Sequence, residues 1–425
     1  MTPVIVGELQ QPARQRCPRH HRHRGLPRGI VRGVIAVLAP GQGSQTPGML
    51  APWLELPGAS ALVGELGEAA KLDLLRLGTT ADADEIKDTA VTQPLIVALG
   101  LVAAPHLGLD DANAGASVIA GHSVGELTGA AVAGALRPSA AVGFAARRGA
   151  EMAAACALTP TGMSALLGGD PDEVAAGIEA AGLTPANRNG AGQIVAAGAL
   201  TALAELAENP PGGARVRPLP VAGAFHTSYM APAEAALHDY AATLDIADPS
   251  HLLLSNADGT AVASGAELIK RLVAQVTLPV RWDLCLRTLR DLGVSAAIEL
   301  PPAGALTGIA KRELPGVELL ALKTPADLEK ARVVIESARQ PGQGEHTPDF
   351  QVVSAPAKGT FTRNEAVTEG QAVARGATLG IVRTNRDEHA VVAGRDGILV
   401  EWLRHDGDIV AAGLPVARLQ SGSEH

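Results

Sequence analysis

The residues best suited to chemistry are Gly121-His122-Ser123-Val124-Gly125. The apolar run ASVIA precedes them and ELTGAAVAGAL follows, so a G-x-S-x-G spacing falls between a strand and a helix. In that setting the glycines permit a sharp turn that lifts the Ser123 hydroxyl clear of the sheet. N–H groups at the start of the new helix, beginning with Val124, can then hold an oxyanion. A serine nucleophile needs a base. Of the twelve histidines, His20, His21 and His23 lie in a basic head, and His106, His238 and His251 fall in helical or pre-strand surface settings. His346, His389, His405 and His425 belong to a linker or a C-terminal segment, and His122 adjoins the serine but points away from it. His226 remains, in PLPVAGAFHTSYM, where the chain returns from one α/β segment to another and clefts form. Elimination therefore pairs Ser123 with His226 as nucleophile and base.

The elements that must position this pair follow from the apolar pattern. VIAVLAP, from Val34, is a buried strand ended by Pro40 and GQGSQ, with helical stretches around 57–78 and 84–106. A long helix, PSAAVGFAARRGAEMAAAC, runs to Cys156. Residues 161–222 change rhythm to βαββαβ, the order of a ferredoxin-like split unit. The earlier α/β rhythm resumes with HLLLSN, ELIKRLVAQV and AAIEL, so this unit is an insertion. The expected organisation is a basic N-terminal extension (1–33), a large α/β domain (34–160 and 223–337), a small inserted domain (161–222), a linker (338–349) and a β module (350–421).

Composition narrows the function classes. A hydrophobic fraction of 47% with only 2% aromatic residues calls for a core of Ala, Val and Leu, as in helices on a parallel sheet. The net charge is −9, although residues 1–33 hold seven arginines against one acid, Glu8. The acidic body argues against extended nucleic-acid binding. Cys17, Cys156 and Cys285 are far apart, without a C-x-x-C pair, which points to a reducing, cytoplasmic setting with neither disulfide framework nor metal. Every apolar run of about 18 residues is broken by charge, Gly or Pro, so no membrane span is expected.

Six motifs in order carry a resemblance: Gly41-Gln42-Gly43-Ser44-Gln45, GHSVGE at 121–126, Arg148-Gly149, Asn187-x-Asn189, Phe225-His226 and Gln275-x-x-x-Pro279-Val280-Arg281-Trp282. Together they resemble malonyl-CoA:acyl carrier protein transacylases over about residues 34–335. The resemblance implies an α/β-hydrolase-like large domain with a ferredoxin-like small domain inserted, and a monomer. It implies Ser123 as nucleophile, His226 as base, and backbone N–H groups of Gln42 and Val124 as the oxyanion hole. Arg148 would bind the malonyl carboxylate, a role that suits a planar guanidinium; its neighbour Arg147 reads as a solvated charge. Gln275 would orient His226 through its backbone carbonyl, and Gln93, Phe225 and Asn189 would line the substrate pocket. Phe225 before the base accompanies malonyl rather than methylmalonyl units in related polyketide acyltransferases, by exclusion of an added methyl group. No cofactor is implied; the partners are malonyl-CoA and an acidic carrier protein, received by a basic patch such as Lys311-Arg312 or Arg215/Arg217. The alternatives are a polyketide-synthesis acyltransferase and a serine esterase or thioesterase.

The last 75 residues hold an internal repeat. Ala355-Pro-Ala-Lys-Gly359 returns as Ala393-Gly-Arg-Asp-Gly397, and Gly370-x-x-Val373-x-x-Gly376 as Gly407-x-x-Val410-x-x-Gly413. Two copies of strand, turn and strand predict a pseudo-symmetric β-sandwich or flattened barrel. The segment resembles a biotinyl/lipoyl-type domain with Arg386 where the modified lysine belongs. Arginine cannot form that amide, so neither biotin nor lipoate is expected, and the module reads as a packing or docking piece.

Overall fold

The computed structural model describes residues 34–109, 117–339, 350–384, 387–410 and 415–420. The basic head, residues 340–349 of the linker and Arg386 lie outside the described residues. The chain divides into two compact units, Met1–Pro341 and Gly342–His425.

The described residues of the first unit form nine strands: β1 (Val34–Ala39), β2 (Ser117–Gly121), β3 (Thr161–Leu167), β4 (Thr184–Gly190), β5 (Gln193–Ala199), β6 (Arg215–Pro218), β7 (Leu252–Leu254), β8 (Val294–Glu299) and β9 (Glu318–Ala321). Five of them form a parallel sheet in the order β7-β2-β1-β8-β9. Side chains alternate across a strand, so β1 feeds two cores: Ile35, Val37 and Ala39 enter one, and Ala36 and Leu38 the other. Both faces are covered, which is why β1 and β2 read as continuous apolar runs.

The inserted segment folds as an antiparallel sheet ordered β4-β5-β3-β6, with the helices Pro171–Ala180 and Leu200–Glu208. Leu166, Ile194 and the helical Val174, Ile178 and Leu203 make a small core of their own. Met163, Ala165 and Val195, from the alternate positions of β3 and β5, join the main core instead. Backbone bonds from Arg188 N–H to the Val280 carbonyl, and from Val280 N–H to that of Ala186, stitch β4 to the larger lobe.

Two helical expectations shift at their boundaries. The stretch 57–78 is two helices, Ala59–Ala70 and Leu74–Thr79, because Lys71 takes a left-handed φ of 57° and Asp73 caps the second by accepting from Arg76 N–H. The stretch 84–106 becomes a helix only from Thr89, where Asp88 accepts from Ala90 N–H. That helix, extended to Leu107, is long and apolar enough to cross a membrane by length and composition, and is largely buried within the fold.

The described residues of the second unit form eight short strands: β10 (Phe350–Ser354), β11 (Gly359–Arg363), β12 (Ala372–Val373), β13 (Thr378–Arg383), β14 (Glu388–Val392), β15 (Gly397–Trp402), β16 (Ile409–Val410) and β17 (Pro415–Gln420). They form two sheets, β10-β17-β15-β12 and β14-β13-β11-β16. Advancing each strand by four positions, with the count returning to β10 after β17, converts one order into the other, so the repeat is a two-fold arrangement of strands. Its repeated glycines do the same job: a Cβ on Gly359 would meet the Arg383 carbonyl oxygen at 2.2 Å, and one on Gly397 that of Gln420 at 2.5 Å.

Candidate active site

Ser123 stands on the turn between β2 and the helix Gly125–Val132. The spacing of its glycines follows from close approach: a Cβ on Gly121 would lie 2.1 Å from the Gly125 carbonyl carbon, and one on Gly125 2.2 Å from the Ala39 carbonyl oxygen. Ser123 itself has φ of 53°, a left-handed conformation that a serine adopts only under constraint. Asn256 supplies the constraint. Its Oδ1 accepts from Ser123 N–H at 2.7 Å, and its Nδ2 donates to the Gly121 carbonyl at 2.7 Å.

His226 is the second non-glycine residue of the site with a left-handed backbone, φ 61°. Its Nε2 lies 2.8 Å from Ser123 Oγ and its Nδ1 2.8 Å from the Gln275 carbonyl oxygen. A carbonyl only accepts, so Nδ1 carries the proton and Nε2 is left to accept from the serine. Burial, reinforced by the Arg148 charge, pushes this imidazole down to about 3. It is neutral at ordinary pH, as a base must be.

Arg148 projects from the long helix Pro138–Cys156 and is only 2% exposed. Its Nη1 donates to Gln93 Oε1 at 2.7 Å, and its Nη2 to Gln275 Oε1 at 2.8 Å and Ser123 Oγ at 3.2 Å. Among the described residues no carboxylate pairs with it directly. Burial lowers its pKa to about 10, with Glu126 opposing, so the guanidinium keeps its proton. Neighbouring Arg147 instead makes a surface i,i+4 pair with Glu151. A buried cation satisfied only by amides and a hydroxyl, within reach of the nucleophile, is prepared for an anionic acyl group.

The cleft between the lobes brings these groups together with Gln42, Gln93, Val124, Asn189 and Phe225. Its volume of about 160 Å³ lies below the ~300–1,000 Å³ of typical drug-sized sites, which suits a short acyl group. Met152, Met163, Leu219 and Val221 complete an apolar wall beside the Phe225 ring. The Gln42 side chain donates to Thr89 Oγ1 at 3.0 Å. The backbone N–H groups of Gln42 and Val124 have no acceptor among the described hydrogen bonds. Asn189 has both amide atoms engaged, its Oδ1 with His122 Nε2 at 2.8 Å and its Nδ2 donating to Gln193 at 2.9 Å. His122 is thus held against Asn189 and edge-on to Trp282, and burial lowers its pKa.

Sequence reasoning gave no role to Glu126, Asn256 or Met152. Glu126 was visible as the last letter of GHSVGE, and Asn256 ends HLLLSN, but neither segment announces the bonds it makes. Met152 receives the Gln93 amide at 3.5 Å and so helps turn its Oε1 toward Arg148. The docking candidates Arg215, Arg217, Lys311 and Arg312 are all exposed.

Comparison with known proteins accords with this arrangement. Residues 37–343 match the family described as acyl transferase domain. The malonyl CoA-acyl carrier protein transacylase of Mycobacterium tuberculosis is 59% identical over 298 residues, 70% of this chain and 99% of that protein. The crystal structure of MCAT from the same species superposes with a TM-score of 0.68 at 58% identity, covering 70% of this chain and 99% of its own. A malonyl-transacylase in complex with a type II PKS acyl-carrier protein gives a TM-score of 0.65 at 27% identity, covering 71% and 99%. The chain belongs to the malonyl CoA-acyl carrier protein transacylase family of acyl transferases.

Proposed function

We propose that this protein moves a malonyl group from malonyl-CoA to the phosphopantetheine thiol of an acyl carrier protein, supplying fatty acid synthesis. The observation that carries the reading is the buried Arg148, free of any paired carboxylate and 3.2 Å from Ser123 Oγ. It can bind the free carboxylate of a malonyl thioester while the thioester carbon faces the serine. His226 Nε2 takes the Ser123 proton as Oγ attacks that carbon, and Gln42 and Val124 N–H groups receive the oxyanion. The C–S bond then breaks, the proton returns to the departing CoA sulfur, and a malonyl ester remains on Ser123. In the second half the carrier thiol gives its proton to His226, attacks the ester and restores the serine. Gln275 holds His226 through its carbonyl, in place of a triad aspartate. Gln93 aims Arg148, and Phe225 and Asn189 shape the wall.

The larger lobe reads as α/β-hydrolase-like and the inserted sheet as ferredoxin-like, the latter supported by its β4-β5-β3-β6 order. The relative solved with an acyl-carrier protein supports a carrier as second substrate; Lys311-Arg312 and Arg215/Arg217 are candidates to receive it. The second unit reads as biotinyl/lipoyl-like, supported by its two-fold strand order, and the arginine at 386 leaves it unmodified. Intact-protein mass spectrometry after incubation with malonyl-CoA tests the reading. A malonyl-sized adduct is expected on the native protein and absent in Ser123→Ala. No adduct on the native protein, or an undiminished one in the variant, overturns it.

A further inference from the structure

Glu126 is a carboxylate only 3% exposed, on the first turn of the helix that follows the nucleophile. The acyl-transfer steps leave it without a task. Its Oε1 accepts the Asn256 N–H at 2.5 Å, its Oε2 accepts from Gln275 Nε2, and the Ser255 hydroxyl adds a third bond. Each of the two main partners reaches on to the reacting groups. Asn256 grips the elbow on both sides of the serine through Ser123 N–H and the Gly121 carbonyl. Gln275 donates to the Ser123 carbonyl at 3.2 Å, accepts from Arg148, and offers its own carbonyl to His226. Nucleophile, base and cation are therefore each held by a residue that Glu126 holds.

From this convergence we propose that Glu126 is a positioning residue for acyl transfer, acting in its ionised form through Asn256 and Gln275; the inference rests on the function proposed above. The charge matters because the backbone N–H and the amide Nε2 can only donate. An acceptor-only carboxylate satisfies both, and it also fixes which way round the Gln275 amide lies: Nε2 toward Glu126 leaves Oε1 for Arg148. A protonated acid or an amide at 126 would turn a donor toward these donors and free the Gln275 side chain to rotate. The titratable groups around the carboxylate are Arg148 from the long helix and Cys285 from the helix Trp282–Asp291, with His226 beyond Gln275 and His122 on the same turn. Burial keeps the Cys285 thiol protonated and His226 neutral across the neutral range. Burial also raises Glu126 itself to about 7, against the pull of its donors and of Arg148.

The test is the rate of malonyl-enzyme formation from malonyl-CoA, followed by quenched-flow intact mass in the native protein, Glu126→Gln and Glu126→Asp. Glu126→Gln is expected to lower the saturating rate about a hundredfold, the usual penalty for misplacing reacting groups by about 1 Å. The half-saturating malonyl-CoA concentration should change by less than about threefold, because Gln93 still holds Arg148. The native rate should fall on the acid side with a midpoint near 7. That limb should vanish in Glu126→Gln and return, with part of the rate, in Glu126→Asp. Native rates in Glu126→Gln, or a native acid limb persisting in it, overturn the proposal. A native protein that forms no malonyl-enzyme would instead refute the proposed function, so the two failures read differently.

Discussion

The two units of this chain treat polar side chains in opposite ways. In the first, Gln93, Glu126, Arg148, His226, Asn256 and Gln275 are buried, and their hydrogen bonds converge on one serine. Among the described residues of the second, no polar or charged side chain is buried; Phe361, Leu379, Val382, Leu399 and Leu419 fill its centre. Burying a polar group costs stability unless every bond is made. A fold carries such a network where orientation of reacting groups matters, and a centre of plain apolar packing serves shape alone. The contrast places the polar network that surrounds Ser123 in the first unit.

The sharpest way to break that contrast is His226→Ala. Transfer should fall by about 10⁶-fold, the scale of losing the base of a serine–histidine set, as measured by malonyl transfer to carrier protein. Retained activity would mean that the polar cluster is structural. In the second unit, Phe361→Ala should cost about 3–5 kcal/mol of that unit's stability, read from its denaturant midpoint. It should leave malonyl-enzyme formation within about twofold of native, because Phe361 packs in the second unit's own core and shares no partner with the polar cluster around Ser123. A large loss of transfer would show that the second unit takes part in it. A smaller effect concerns the cleft wall, where Phe225→Ser should raise methylmalonyl relative to malonyl labelling by about tenfold, the value of one methyl group in an apolar pocket.

The mildest signature is in stability against pH. His226 titrates near 6.5 when unfolded and at about 3 when folded, so its contribution is present above 6.5 and lost as pH falls toward 3, at about 1.4 kcal/mol per unit. Glu126 works in the opposite sense: raised from 4.5 to about 7, it favours the folded state below 4.5 and loses that contribution as pH rises through 7. The two partly cancel in the native protein. Comparing native with His226→Ala at pH 7 and pH 5 isolates the histidine, and the native protein should show the larger loss at pH 5. Equal losses would contradict a buried neutral imidazole.

Much of this was legible in local sequence, for definite reasons. G-x-S-x-G is readable because its two glycines answer a steric demand confined to five residues. The long helix beginning at Pro138 and ending at Cys156 is readable because its start and its apolar spacing are both local. Ser123 and His226 also follow from residue type and position, and Arg148 from the resemblance that its motif helps to carry. The support around them was not legible. Asn256 lies 133 positions from Ser123, and Gln275 is 149 from Glu126, so their bonds exist only after the lobes pack. Asn189 lines the cleft, and its amide also bonds neighbouring Gln193 and, 67 positions away, His122, a pairing that spacing does not encode. The break at Lys71 escaped the helical pattern because a lysine with a left-handed backbone leaves no mark in hydropathy.

Under the proposed function, selection of a carboxylated acyl group rests on one buried arginine, Arg148. Its most direct test is intact-mass labelling of native protein and Arg148→Ala by malonyl-CoA and acetyl-CoA in parallel. The native protein should take malonyl in strong preference, and Arg148→Ala should lose malonyl labelling far more than any residual acetyl labelling. An unchanged malonyl-to-acetyl ratio in the variant would mean that Arg148 does not select the acyl group.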